Sequence, residues 1–188
     1  NLKIFDIINA ASTKPFGFRP FAPGPGVGGH CIPIDPLFIS WLANQKGIKS
    51  DFIDISRKIN LKVTDWIIKK IEKKIYKKKS RLLIIGVSYK KDVDDCRESP
   101  AIKIMNKLYK KKYSIEYFDP YVSYINFNKR RLYSLKSLND SKIKSFQAII
   151  ITTDHSNIDY KQILKNAKQI FDTRGVYRTK NNSKVIPC

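Results

Sequence analysis

The chain has 188 residues, with 37 lysines and arginines against 16 aspartates and glutamates, a net charge of +21. Hydrophobic residues at 42% and aromatics at 12% exclude a disordered or low-complexity chain, and the length suits one domain or one plus part of another. No apolar run approaches the roughly 20 residues that a membrane-spanning helix needs, and the N-terminus carries no signal-peptide pattern.

So basic a chain raises the question of nucleic acid. The lysines, however, are spread from Lys69–Lys70 through Lys77–Lys79 and Lys110–Lys112 to Lys129, without aromatic interleaving or zinc-ligand spacing. They read as a solvated surface that favours anionic substrates, with no nucleic-acid partner and no membrane. The three cysteines, Cys31, Cys96 and Cys188, form an odd, unpaired set, for which a reducing cytoplasm is the expected compartment.

In chain order, residues 2–11 read as the end of a helix, so the chain reads as a fragment that begins inside one. Residues 15–36 hold six of the nine prolines and cannot be helix or central strand. With Phe16, Phe18 and Phe21 among its glycines, this stretch reads as a shaped loop that brings backbone close to a ligand. Leu37–Gly47 predicts a helix. Over 52–78, Ile59, Val63, Trp66, Ile67, Ile71 and Ile75 recur at helical spacing, predicting a long amphipathic helix packed on a core or a partner subunit. Beyond Ser80 the period changes. Leu82–Val87, Ser114–Phe118, Ala148–Thr152 and Gln169–Phe171 read as buried strands, alternating with helices at Ala101–Lys112 (opened by Ser99-Pro100) and Tyr160–Asn166. That alternation predicts an α/β fold with a parallel sheet over 80–188, whose ligands sit beyond the strands' carboxyl ends. Residues 88–91, 119–122, 153–155 and 172–174 are thereby expected on one rim.

The segment Gly28-Gly29-His30-Cys31-Ile32-Pro33-Ile34-Asp35-Pro36 carries the sharpest chemistry. Cys31 is open to approach between glycines, His30 favours its thiolate, and Asp35 is placed to orient a water or pair with a cation. One cysteine beside one histidine also fits a loop residue of no chemical consequence. Asp92, Asp94 and Asp95 read as a turn rather than a metal site, Cys96 as inert, and His155 as either a ligand contact or a local hydrogen-bonding group.

Pro23 to Pro36 resembles the active-site loop of the UDP-glucose/GDP-mannose dehydrogenase family, in the branch acting on UDP-N-acetylhexosamines. There a histidine precedes the cysteine, where the UDP-glucose branch has serine. Gly86-Val87-Ser88-Tyr89-Lys90-Lys91 through Ser99-Pro100, Tyr117-Phe118-Asp119-Pro120 and Phe171-Asp172-Thr173-Arg174 resemble further blocks of that family, in the same order. The resemblance implies residues 1–79 as the end of a helical central dimerisation domain and 80–188 as a Rossmann-like UDP-binding domain. It implies oxidation of a sugar C6 alcohol to a carboxylate with two NAD per turnover, for surface polysaccharide precursors, in a homodimer. Cys31 would be the nucleophile, adding to the intermediate aldehyde and then carrying a thioester. Asp35 would assist the hydrolytic water. Gly28, Tyr89, Lys90 and Arg174 would contact the UDP-sugar, with Arg19 as a further contact across a dimer. The Cys31–Ile34 backbone, including Ile32 and Pro33, would lie against the nicotinamide, and Arg97 would reach NAD. The family's G-x-G-x-x-G turn is absent, Gly24-Pro25-Gly26 lying in the proline-rich loop, so the chain alone is expected to be inactive.

Overall fold

The computed structural model describes residues 2–77, 79–179 and 182–188. Helices α1 (Ile4–Ala11), α2 (Asp35–Gln45) and α3 (Asp51–Glu72) precede strand β1 (Arg81–Ile85). Then come α4 (Pro100–Lys110), β2 (Ser114–Phe118), β3 (Tyr124–Phe127), β4 (Arg130–Tyr133), α5 (Asp140–Ser145) and β5 (Ala148–Ile151). Helix α6 (Tyr160–Asn166) and strands β6 (Ile170–Asp172) and β7 (Val185–Pro187) complete the chain. The strands β2-β1-β5-β6-β7 form one sheet with every pairing parallel, while β3 and β4 form a separate antiparallel hairpin. This is the α/β architecture with a parallel sheet expected from the alternation of strand and helix, and it is the Rossmann-like fold that the resemblance implies.

A central parallel strand must be apolar on both faces, because helices cover both. Leu82 and Ile84 face one layer with Ile104, Met105 and Leu108 of α4, and Leu83 and Ile85 face another with Ile143 of α5 and Ile163 of α6. Ser99 starts α4: its hydroxyl donates to Val87 O at 2.6 Å and accepts from Ala101 N–H at 3.2 Å. Pro100 follows in the first turn, where a missing N–H costs nothing.

The amphipathic pattern of α3 divides along its length. Ile67, Ile68 and Ile71, with Ile75 just beyond the helix, are buried in the first layer. Ile59 and Trp66 of the same pattern remain 57% and 49% exposed. The C-terminal half of α3 is therefore tied to the sheet, and Lys107 reinforces it by donating to Thr64 Oγ1 at 3.0 Å and Asp65 Oδ1 at 2.7 Å. The helix stops at Glu72, not 78, and α2 starts at Asp35, two residues earlier than its apolar pattern, because Pro36 fits the first turn.

Truncating Ile71 to alanine is expected to cost about 2–5 kcal/mol, since it leaves a void under the sheet. Ile59→Ala should change stability by no more than about 0.5 kcal/mol, because that side chain meets solvent. Urea denaturation of both variants checks the division of α3.

Candidate functional site

The glycine-rich loop is held from two sides. Val27 N–H donates to Asn60 Oδ1 at 2.8 Å and Asn60 Nδ2 donates back to Val27 O at 3.2 Å, which fastens the loop to α3. On the other side Gly29 N–H donates to Arg97 O at 2.9 Å. There is no room for side chains at this contact. A Cβ on Gly28 would lie 2.7 Å from Tyr89 Cβ and 3.0 Å from both Glu98 O and Pro100 Cδ. At Gly29, where φ is +84°, a Cβ would lie 2.9 Å from the Tyr89 ring. A Cβ on Gly24 would collide with the Arg174 guanidinium. One loop thus lies against the turn after β1 and against the turn after β6, bringing Gly28, Tyr89 and Arg174 into one region.

Past these glycines the chain turns sharply. Ile34 N–H donates to His30 O at 2.9 Å, and Asp35 opens α2. The turn sets His30 Nδ1 2.8 Å from Asp35 Oδ1, and donor atoms of His30, Cys31 and Asp35 all lie within 4.8 Å of one another. Cys31 is exposed. Ile32, Pro33 and Ile34 line one wall of a cavity of about 420 Å³ whose other walls include Phe52, Ile53 and Asn60.

Arg97 lies within electrostatic range of Cys31 but is already paired. Its guanidinium donates to Asp95 at 2.6 and 2.9 Å, and those hydrogen bonds raise the arginine and hold Asp95 below the ordinary carboxylate range. Cys96 packs on the core, and burial pushes its thiol up to about 12, which leaves it inert at neutral pH.

The expected rim is contiguous, and Asp119 at the end of β2 is its hub. Asp119 Oδ2 accepts from Val87 N–H at 2.7 Å, Ser88 N–H at 3.2 Å and His155 Nε2 at 3.1 Å. Asp119 Oδ1 accepts from Tyr121 N–H at 2.9 Å and Val122 N–H at 3.1 Å. Burial alone would raise this carboxyl; the hydrogen bonds from His155, Val87 and Tyr121 outweigh burial and hold it below the ordinary aspartate value. His155 is fully buried, and its Nδ1 accepts from Asp92 N–H at 3.0 Å. The network therefore assigns its proton to Nε2, facing Asp119. Of the two roles open to His155, the local hydrogen-bonding one is the one built here. Asp92 is a turn residue with φ +58°, its carboxylate accepting from Ser156 N–H and Oγ, both at 2.7 Å.

Arg174 donates from Nε to Asp154 Oδ1 at 2.9 Å and lines a polar cavity of about 490 Å³ together with Lys91, Arg178, Ser156 and Tyr160. The Tyr160 hydroxyl is buried without a hydrogen-bond partner among the described residues. Lys90 is exposed, and it is its neighbour Lys91 that reaches the cavity wall. Arg19 is also exposed and makes no hydrogen bond or ion pair among the described residues, so the structure does not join it to the others. Sequence reasoning missed Asn60, Arg178 and Tyr160, and it placed Lys91 on the rim without singling it out from Lys90. A bidentate amide 33 residues from its target leaves no local signal.

Residues 83–179 match the UDP binding domain of the UDP-glucose/GDP-mannose dehydrogenase family, and residues 1–62 match its central domain. The chain belongs to this family. It is 33% identical over 183 residues to the UDP-N-acetyl-D-mannosamine dehydrogenase of Methanocaldococcus jannaschii, covering 96% of this chain and 40% of that protein. The UDP-N-acetyl-D-glucosamine 6-dehydrogenase of Salmonella typhi is 29% identical over 168 residues, covering 87% and 38%. Among solved structures, a UDP-D-ManNAc dehydrogenase from Pyrococcus horikoshii superposes with a TM-score of 0.77 at 27% identity, covering 99% of this chain and 44% of that one. The chain thus spans about two fifths of the length of the relatives it matches.

The lowered Asp119 carboxyl makes a stability prediction with a definite sign. Its contribution is fully present above the unfolded value near pH 4 and is lost as pH falls through the folded value below it. Asp119→Asn should cost about 3 kcal/mol at neutral pH and should flatten the acid limb of the stability curve. Thermal melts between pH 7 and about pH 3 check both effects.

Proposed function

We propose that this chain is the sugar-nucleotide-binding and cysteine-bearing portion of an NAD-dependent 6-dehydrogenase that acts on a UDP-N-acetylhexosamine. The observation that carries the reading is the seating of the Cys31 loop on the rim of the parallel sheet, through Gly28 and Gly29 on Tyr89 and Gly24 on Arg174. The reading divides the chain at 79/80 into the end of a central helical domain and a UDP-binding domain.

A diphosphate needs fixed cations, and Arg174, Lys91 and Arg178 line the polar cavity; Lys90, exposed on the same turn, is assigned to the nucleotide sugar beside them. Gly28 and Tyr89 sit on the sugar side, toward Cys31, and Arg19 is assigned to the sugar nucleotide of a partner subunit. The apolar wall of Ile32, Pro33 and Ile34 fits one face of a nicotinamide ring, and Arg97 is assigned to the NAD side of the site. NAD, when bound, would supply the hydride acceptor for each of the two oxidations at C6. Cys31 adds through sulfur to the intermediate aldehyde carbon and retains it as a thiohemiacetal, then as the thioester left by the second oxidation. Asp35 and His30, joined at 2.8 Å, hold the water whose oxygen displaces the sulfur and whose proton they take up.

Exposed Phe38, Ile39, Trp41, Leu42 and Phe52 on α2 and α3 support a homodimer joined through the helical part. The reading assigns the enzyme to the cytoplasm, with neither a membrane nor nucleic acid as partner; among the described residues no helix is long and apolar enough to cross a membrane. The product is assigned to precursors of surface polysaccharide. Oxidation is assigned to the whole enzyme with its NAD-binding part, so this chain alone should bind nucleotide sugar without oxidising it.

Calorimetric titration with UDP-N-acetylglucosamine and UDP-N-acetylmannosamine tests the reading. Binding is expected, and Lys90→Ala/Arg174→Ala should weaken it more than about 10-fold, one charge-assisted contact being worth about 1.5–3 kcal/mol. Binding unchanged in the double variant, or tight duplex DNA binding at physiological salt without preference for UDP, would overturn it.

A further inference from the structure

His30, Cys31 and Asp35 present three chemically different donors from one six-residue stretch, with one donor atom of each within 4.8 Å of the other two. Backbone geometry brings them together. The Ile34 N–H to His30 O bond closes the turn, Asp35 is fixed as the first residue of α2, and Gly29 N–H to Arg97 O anchors the upstream end. His30 and Asp35 side chains are 53% and 49% exposed, and Cys31 is exposed beside them, so an ion from solvent reaches all three.

We propose that this turn is a binding site for zinc, coordinated by one imidazole nitrogen, one thiolate sulfur and one carboxylate oxygen, with the fourth position left to water. The donor set selects the ion. Thiolate and imidazole suit zinc, whereas magnesium and calcium take oxygen ligands. Zinc bonds of about 2.0–2.3 Å place tetrahedral donors about 3.3–3.8 Å apart, so small side-chain rotations from the present spacing complete the site. The Cys31 thiol proton leaves to solvent as the sulfur–zinc bond forms, and the His30–Asp35 hydrogen bond is exchanged for two metal bonds. Arg97 opposes the ion, but its guanidinium is held by Asp95 at 2.6 Å. The ion occupies the sulfur to which an aldehyde would add, so zinc and substrate exclude each other and the loop is open to reversible metal inhibition. The site itself rests on the placement of the three donors and not on the dehydrogenase reading; only the inhibition depends on that reading.

Titration of the chain with Co²⁺ as a spectroscopic stand-in, followed by displacement with Zn²⁺, tests the site directly. The expected result is one ion per chain, a sulfur-to-cobalt charge-transfer band, and zinc protection of one thiol from alkylation. The band should vanish in Cys31→Ser and persist in Cys96→Ser. Zinc affinity should fall more than about 10-fold in His30→Asn and in Asp35→Asn, because loss of even an outer-shell partner costs 10–100-fold at such sites. Cobalt binding without a thiolate band, or zinc binding unchanged in Cys31→Ser, would overturn the site. Nucleotide-sugar calorimetry reads the dehydrogenase assignment separately, so the two failures are distinguishable.

Discussion

The glycine-rich loop has its effect only because two backbones meet where side chains would not fit. Gly28 and Gly29 let the loop settle on Tyr89, Glu98 and Pro100, and Asn60 fastens it to α3 with two reciprocal hydrogen bonds. Remove that contact and the exposed cysteine is merely on a long loop. With it, Cys31, His30 and Asp35 are held beside the turn that follows β1. Packing supports the arrangement from beneath, because the C-terminal half of α3 is buried in the same layer as α4. The helix that carries Asn60 is therefore rooted in the sheet's own core.

The second constraint is the buried Asp119 carboxylate. Five hydrogen bonds converge on it from the turns after β1 and β2 and from His155 after β5. These make three separate strand ends behave as one rim. The low local dielectric makes a fully satisfied network of this kind rigid and a broken one costly. Charge is distributed with the same economy. Asp95 occupies Arg97 and Asp154 engages Arg174, while Lys91 and Arg178 face the polar cavity. The large positive excess of the chain thus has a local form as well as a global one, an anion-attracting wall at the carboxyl ends of the strands.

Much of this was legible in the sequence, for reasons that differ by element. Leu82–Ile85 and Ala148–Ile151 are buried on both faces and read directly as continuous apolar runs. The β3–β4 hairpin escaped notice because its turn, Asn128-Lys129, adopts φ values of +50° and +63° without the glycine that marks such turns. Strand β7 is three residues long and carries no pattern. The apolar face of α3 was legible but its partner was not, since periodicity cannot say where along a helix the core ends. In the site, the Gly-Gly-His-Cys stretch announces itself through composition. Asn60 does not, and neither does the choice of Lys91 over Lys90, because neighbouring lysines differ only in the direction the turn gives them. The His30–Asp35 contact also depends on a turn that spacing alone leaves undetermined.

Amide hydrogen exchange at Val27 and Gly29 tests most directly whether the loop is fixed in the way on which the site depends. The donors of these two residues are taken by Asn60 Oδ1 and Arg97 O. Slow exchange at both, lost at Val27 when Asn60 is changed to alanine, is the predicted result. Exchange at both amides as fast as in an unstructured peptide would contradict the account, because Cys31 would then have no fixed place on the rim.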